Sequence, residues 1–353
     1  MDTNVFAPEE EQKVRGVGRM SRGGLAADVA DRVMARITAS REFYPAWLAE
    51  GEHLENLARE ADSRGASVSA RHFHRQAFYC FRLAESWLTT NSTQKLSAYD
   101  ASLRCFDRAA GDRILRTEVV VEGVSYPAYV AGADLPSGGP GVLFIYGADG
   151  NKEEHYWRSA QALEQRGVKA LVLDGPGQGE TVRRRGMGVR HDFEIVASAA
   201  YDALCSVADP ERIGIVGSSM GGYYAPRSFA LEPRFKACMV SSALYDVLSG
   251  LYDYFPPIRE QLRYNAQVTD DDQARQVYRD FTLDGLSSQV NGRRRPMRIY
   301  HGTADRLIPL SQAEKVATVF DAELIAWTGG GHNLGNVRTE SYPHMWDWIA
   351  GVL

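Results

Sequence analysis

Cysteine is scarce in this chain: four residues in 353, at positions 80, 105, 205 and 238, with no Cys-x-x-Cys spacing. That distribution argues against a disulfide framework and a cysteine-based zinc site, and it suits buried thiols in a reducing cytoplasm. Long apolar runs are missing as well, since nothing approaches the roughly 18–20 residues that span a bilayer. Residues 1–20 contain no apolar core of a signal peptide. The expectation is therefore a cytoplasmic chain with no membrane contact. Neither sign of charge dominates: 40 basic and 45 acidic residues give a formal net charge of -5, which argues against a nucleic-acid partner. Internal repeats and low-complexity tracts are absent from the sequence. The remainder is ordinary globular composition, 44% hydrophobic and 24% charged, long enough for one large domain or a main domain with an accessory one.

Two textures meet near residue 112. Before it, apolar residues return at helical spacing: Leu25, Val29, Val33 and Ile37; Trp47, Leu48, Leu54 and Leu57 behind Pro45, a good first-turn residue; Phe73, Ala77, Phe81 and Ala84; then Leu96, Leu103 and Phe106. The spacing predicts amphipathic helices through the N-terminal region 1–112. After it, residues 117–122 and 125–131 alternate around Gly123 as a hairpin does. Apolar strands then follow at 142–146, 168–173, 212–216, 238–240, 297–300 and 322–327. Helical segments are predicted between and after them at about 153–165, 191–207, 220–231, 311–320 and 342–352. This alternation predicts an α/β fold over 113–353, a mostly parallel sheet flanked by crossover helices. A mostly polar, helix-like insertion at about 243–295 interrupts it.

The most specific stretch is Gly217-Ser218-Ser219-Met220-Gly221-Gly222, directly behind the apolar run 213–216. A buried strand that passes through G-x-S-x-G into a helix is the nucleophile elbow of the α/β-hydrolases. Only Ser219 has glycine two residues before and two after, so it is the candidate nucleophile. Side chains at 217 or 221 are expected to collide with the neighbouring strand and helix. A nucleophilic serine needs a base, and the base an orienting acid, which in this fold follow in the order Ser, Asp/Glu, His. Asp305 lies just past the strand 297–300, at a strand's C-terminal end where open α/β sheets keep their sites, and His332 follows the strand 322–327 in a glycine-rich loop. Asp174 precedes Ser219 in the chain and is read as fixing the glycine-rich loop at 175–179. The oxyanion hole is assigned to the amides of Met220 and of Gly147 or Ala148, with no choice between the last two.

Taken together, these residues make the chain similar to the α/β-hydrolase family of 2,6-dihydroxypseudooxynicotine hydrolase. The resemblance rests on the 47–52 run Trp-Leu-Ala-Glu-Gly-Glu, Arg71-His72-Phe73 through Ala84, Lys152-Glu153-Glu154, and Asp174-Gly175-Pro176-Gly177-Gln178-Gly179-Glu180. The elbow and His332-Asn333-Leu334-Gly335 complete it. It implies an α/β-hydrolase fold with a helical N-terminal cap region, a buried site and a homodimer. Related branches are the fungal polyketide-shortening hydrolases and the fermentation–respiration switch proteins. The typical activity implied is hydrolysis of a carbon–carbon bond, aided by a further pocket carboxylate. Asp246, Asp253 and Glu260 stand in the corresponding region without a clear glutamate match. Candidate substrate contacts are Tyr146, Tyr223, Tyr245, Asp246 and Tyr252, with Trp47 and His72 from the cap.

The resulting expectation is a serine hydrolase of a small aromatic or polyketide-like carbonyl compound, with no cofactor and no metal. Two other classes use the same residues: an acyltransferase or cyclase, and a binding or regulatory protein on a hydrolase scaffold. The run 175–179 has neither the P-loop lysine nor G-x-G-x-x-G spacing, so no nucleotide is expected. The triplets Arg183-Arg184-Arg185 and Arg293-Arg294-Arg295 read as solvated loop charges.

Overall fold

The computed structural model describes residues 17–18, 20–21, 23–88, 92–111, 114–290 and 295–353. The chain forms two compact units, 1–114 and 115–353. The expected boundary at 112, and Arg293 and Arg294, lie outside the described residues.

In the N-terminal unit the helical periodicity becomes α1 (Ala27–Met34), α2 (Phe43–Ser63), α3 (Ser67–Ser86) and α4 (Thr93–Ala110). Helix α2 begins two residues before Pro45, which places the proline in the first turn, where its missing N–H has no intrahelical acceptor to lose. Helix α3 packs against both α2 and α4, and every residue from Gln76 to Glu85 is buried. Its buried charge has a partner, since the Lys95 ammonium of α4 sits 2.6 Å from the Glu85 carboxylate. Ser92 caps α4 by accepting from the Lys95 amide at 3.1 Å.

The second unit is built on an eight-stranded sheet of order β1-β2-β4-β3-β5-β6-β7-β8. Its strands are β1 (Leu115–Val121), β2 (Val124–Ala131), β3 (Gly141–Ile145), β4 (Lys169–Leu173), β5 (Ile213–Ser218), β6 (Cys238–Ser241), β7 (Met297–Gly302) and β8 (Glu323–Trp327). The pairs β1–β2 and β2–β4 are antiparallel, and the remaining neighbours run parallel. Helices cover both faces, so the inner strands read as continuous apolar runs: all five residues of β3 are buried. Val142, Leu143 and Ile145 of β3 each contribute roughly 1.5–3 kcal/mol of transfer free energy. The edge strand β8 has no neighbour on one side and stays half-exposed.

Between the strands lie α5 (Lys152–His155), α6 (Gln161–Glu164), α7 (Gly179–Arg185), α8 (Glu194–Cys205) and α9 (Gly221–Leu231). Then follow α10 (Arg259–Ala266), α11 (Asp271–Tyr278), α12 (Ser287–Val290), α13 (Leu310–Phe320) and α14 (Arg338–Val352).

The structure corrects several expectations. The helix expected at 153–165 is split by a π-helical turn, Tyr156–Ala160, between α5 and α6. The Arg183 triplet is helical rather than a loop, with Arg184 and Arg185 exposed as expected and Arg183 buried. It forms the last turn of α7, where the helix dipole favours cations, and Arg183 is buried with Nη1 donating to the Gly179 carbonyl at 3.0 Å. Arg295 stacks over the Phe229 ring at 3.9 Å and donates to the Phe235 carbonyl at 2.8 Å, closing the end of α9. The insertion is less polar in effect than in composition: Leu251, Tyr252, Leu262, Tyr278, Phe281 and Leu283 join the same apolar core as the sheet. The last helix begins at Arg338, earlier than its apolar residues suggest, and residues 332–337 form a kinked turn before it, with Asn333 and Leu334 in left-handed conformation.

Candidate active site

The parallel register brings the ends of β5 and β6 level, beside β7. Ser218 of β5 lies opposite Ser241 of β6, which lies opposite Tyr300 of β7. Ser219 and Ser242 therefore leave the sheet side by side, while β7 runs on to Gly302 before the turn that carries Asp305.

Ser219 adopts φ +58, a conformation unusual for a residue with a side chain, and its N–H donates to the Ser241 carbonyl at 3.0 Å. The flanking glycines allow this turn to exist. A Cβ on Gly217 would sit 2.1 Å from the Gly221 carbonyl oxygen, and one on Gly221 would sit 2.1 Å from the Ile145 carbonyl oxygen of β3. Both obstacles are backbone, so neither can move aside cheaply.

His332 opens the kinked turn after β8, and its side chain is 20% exposed. Its Nδ1 lies 2.9 Å from Asp305 Oδ2, and its Nε2 lies 3.0 Å from Ser219 Oγ. With Asp305 ionised, Nδ1 carries the proton and donates to the carboxylate, which leaves Nε2 to accept from the serine hydroxyl.

Asp305 has no exposed side-chain surface. Burial alone would raise its pKa, but His332, His301 and the Ser242 hydroxyl outweigh that cost and hold it down at about 2. Its Oδ1 accepts from the Leu307 and Ile308 amides at 2.9 and 3.1 Å, and its Oδ2 accepts from Ser242 Oγ at 2.7 Å. His301 is fully buried behind it, with Nε2 2.9 Å from the Ile308 carbonyl oxygen, and burial lowers its pKa.

Beside the elbow, a Cβ on Gly147 would stand 3.2 Å from Ser219 Oγ, so this backbone borders the hydroxyl directly. Among the described residues the N–H groups of Met220, Gly147 and Ala148 make no hydrogen bond. Two side chains set the peptide planes of this loop. Gln178 Nε2 donates to the Tyr146 carbonyl at 2.8 Å, and Asn265 Nδ2 donates to the Ala148 carbonyl and, at 2.9 Å, to the Gly177 carbonyl. In a planar trans peptide, fixing the carbonyl fixes the next N–H in the opposite direction.

Asp174 holds the glycine-rich loop rather than the histidine. It accepts from the Lys152 and Glu180 amides at 2.7 Å each, from the Tyr146 hydroxyl, and from Lys152 Nζ at 3.0 Å. Burial opposes its charge, yet Lys152 and these donors lower its pKa, while burial raises that of the neighbouring Glu153. Tyr146 is consequently not a surface for substrate: it is fully buried, bound to Asp174 and stacked on His155 at 4.7 Å.

The other candidate contacts divide. Tyr223 is buried against Phe281, and its hydroxyl donates to the His191 carbonyl at 3.1 Å. Tyr252 is buried, donating to Asp271 at 2.7 Å. Tyr245 is half-buried and donates to Asp284, and Asp246 caps the following turn by accepting from the Ser249 amide at 2.7 Å. In the N-terminal unit Trp47 is fully buried beside Phe43, and His72 is exposed next to Phe73 on α3. Thus Ser219, Asp305 and His332 are brought together with the 147–148 loop, whereas Tyr146, Tyr223 and Tyr252 serve packing. A cavity of about 20 Å³, room for a single water, lies behind the elbow between Ser218, Ser241, Asn333 and Trp346, and does not include Ser219.

Sequence reading passed over Ser242, Gln178 and Asn265. Gln178 had a signal in the Asp174–Glu180 run, whereas the other two become visible only through contacts between distant segments. Among the described residues no group of three His, Cys, Asp or Glu could hold a metal ion, and no helix is long and apolar enough to cross a membrane.

Comparison with known proteins follows the same lines. Residues 154–353 match the model of the prolyl oligopeptidase family. A 2,6-dihydropseudooxynicotine hydrolase from Paenarthrobacter nicotinovorans is 28% identical over 362 residues, covering 99% of this chain and 95% of that protein. The crystal structure of the 2,6-dihydroxy-pseudo-oxynicotine hydrolase aligns with a TM-score of 0.83 at 26% identity, covering 95% of each chain. The α/β hydrolase xenA of Xenoacremonium sinensis is 31% identical over 258 residues, which cover 67% of this chain and 60% of that protein's length.

Proposed function

Because this chain belongs to the prolyl oligopeptidase family and has an α/β-hydrolase fold, we propose that it is a serine hydrolase working through an acyl-enzyme. The substrate is a small aromatic or polyketide-like carbonyl compound, cleaved at an ester or at a carbon–carbon bond whose leaving carbanion is delocalised. The observation that carries this reading is the continuous hydrogen-bonded line from Asp305 through His332 to Ser219 Oγ, ending at an elbow with φ +58.

In this mechanism His332 Nε2 takes the Ser219 proton as Oγ forms a bond to the substrate carbonyl carbon. The developing oxyanion is met by the Met220 amide and one amide of the Gly147–Ala148 loop, each worth roughly 3–4 kcal/mol of transition-state stabilisation. The carbonyl then re-forms, the bond to the leaving group breaks, and imidazolium Nε2 delivers the proton to the departing atom. Water repeats the sequence on the acyl-enzyme and returns Ser219 to its hydroxyl form. Asp305 stays ionised throughout, which its low pKa favours. A small substrate is supported by the relative matched across nearly the whole chain, named as a hydrolase of 2,6-dihydropseudooxynicotine.

Intact-protein mass spectrometry after treatment with a fluorophosphonate tests the reading. A single adduct on the wild type and none on Ser219→Ala is expected. Turnover of acyl-phenols, β-diketones and aryl esters then separates carbon–carbon from ester cleavage. An adduct that persists in folded Ser219→Ala overturns the assignment of the nucleophile.

A further inference from the structure

Ser242 stands where the acid-bearing and base-bearing loops meet. Its side chain is fully buried, its Oγ donates to Asp305 Oδ2 at 2.7 Å, and the same Oγ accepts from the Asn333 amide at 2.8 Å. One hydroxyl thus links the carboxylate after β7 to the backbone immediately following His332.

The residue is itself held rigidly. Ser242 has φ +54, and its N–H donates to the Tyr300 carbonyl at 2.9 Å, continuing the β6–β7 ladder. Its carbonyl lies against the elbow helix, where a Cβ on Gly222 would come within 2.5 Å of it. The loop it holds is the strained part: Asn333 and Leu334, directly after His332, have φ of 51 and 56 without being glycine. A left-handed pair of this kind persists only where surrounding contacts over-determine it.

We propose that Ser242 is a positioning residue that sets both the orientation of His332 and the basicity of Asp305. This rests on the reading of Ser219, His332 and Asp305 as the catalytic line. Two effects follow from one hydroxyl. By accepting from Asn333 it fixes the backbone that carries the imidazole. By donating to Oδ2, the oxygen that His332 also uses, it withdraws charge from that oxygen and weakens the carboxylate as a partner for imidazolium. Facing His332 and Asp305 are Ser219 from the elbow after β5 and the titratable His301 from β7, and Glu314 from α13 acts on His301. Ser242 changes no charge among them, so its removal alters hydrogen bonding alone.

The test is the second-order rate of fluorophosphonate labelling as a function of pH. For Ser242→Ala the label still lands on Ser219. The plateau rate falls about ten- to a hundredfold, the range expected for losing a hydrogen bond to a charged group together with its positioning effect. The midpoint of the acid limb moves to higher pH, because an Asp305 without its second donor stabilises imidazolium more strongly. A purely structural residue would lower the rate without moving the midpoint. If Ser242→Ala does not fold, Ser242→Cys gives the same reading, since sulfur lengthens and weakens both bonds without opening a cavity. Wild-type rate and midpoint in a folded variant overturn the proposal. Labelling of Ser219→Ala would instead overturn the underlying catalytic reading, so the two failures are distinguishable.

Discussion

Replacing Asp305 by asparagine changes one atom of the site, and the structure dictates which one. Oδ1 accepts from two backbone amides, at 2.9 and 3.1 Å, and only an oxygen can satisfy them. The asparagine amide therefore keeps its oxygen there and presents NH₂ at the Oδ2 position, facing His332 Nδ1. Two donors cannot share that contact. The imidazole takes the other tautomer, with Nδ1 bare and the proton on Nε2. That N–H now points at Ser219 Oγ from 3.0 Å and cannot accept the serine proton. The base is still present and still in place, but protonated at the wrong nitrogen. The loss expected is about 10⁴-fold in rate at Ser219, or about 5.5 kcal/mol of activation free energy. Folding should suffer much less. A carboxylate held near pKa 2 contributes about 2 kcal/mol at neutral pH, and the asparagine retains the Oδ1 bonds. The assay is the labelling rate of Asp305→Asn beside Asp174→Asn and wild type, with a denaturation curve for each. A labelling rate within about tenfold of wild type in folded Asp305→Asn refutes the reasoning. A large loss confined to Asp174→Asn would move the acid's role to that residue.

Three further outcomes are expected. Gly221→Ala drives a Cβ to 2.1 Å from the Ile145 carbonyl oxygen on a strand bonded on both sides, so it should destabilise by about 3 kcal/mol or more. An unchanged urea midpoint would contradict this. In acid, the depressed Asp305 pKa means its stabilisation is present above about pH 4 and is lost as pH falls towards about 2. The stability gap between wild type and Asp305→Asn should therefore narrow over that window, as denaturant titrations at successive pH values would show. His301 works at milder pH: buried and with a lowered pKa, it contributes stability that is complete above about 6.5 and declines below it. His301→Gln should flatten that decline, and an unchanged slope between neutral pH and pH 5 would count against the assignment.

Much of the fold was legible because it is locally encoded. The strand before Ser219, the glycines around it and the helix after it form one contiguous signal, and the clashes that demand the glycines are with the nearby Gly221 carbonyl and with the Ile145 carbonyl of β3. The alternation of apolar runs likewise announced the sheet. What escaped reading depends on partners far away in the chain. Ser242 meets Asp305 across 63 positions and Asn333 across 91, and Asn265 reaches Ala148 across 117. Those distances are set by strand order and register, which no single strand's sequence discloses. Arg295 looked like surface charge for the same reason: it satisfies the Phe229 and Phe235 carbonyls, which lie 66 and 60 positions away. Tyr146 and Tyr252 looked like pocket aromatics, but a buried phenol needs a hydrogen-bond partner, and each found a carboxylate inside the protein.

The register that sets the ends of β5 and β6 beside β7 also fixes lateral spacing. Adjacent strands stand about 4.8 Å apart, so the sheet works as a ruler whose divisions are strand widths. Ser219, Ser242 and the end of β7 that leads to Asp305 occupy successive divisions, and their lateral separation is copied from backbone hydrogen bonding, which is indifferent to side-chain identity. Loops beyond the strand tips can thus drift in sequence and length while the spacing of the reacting groups stays constant. A slip of one residue in either ladder would not blur this geometry gradually. It would carry a group to the opposite face of the sheet, leaving the site either whole or absent.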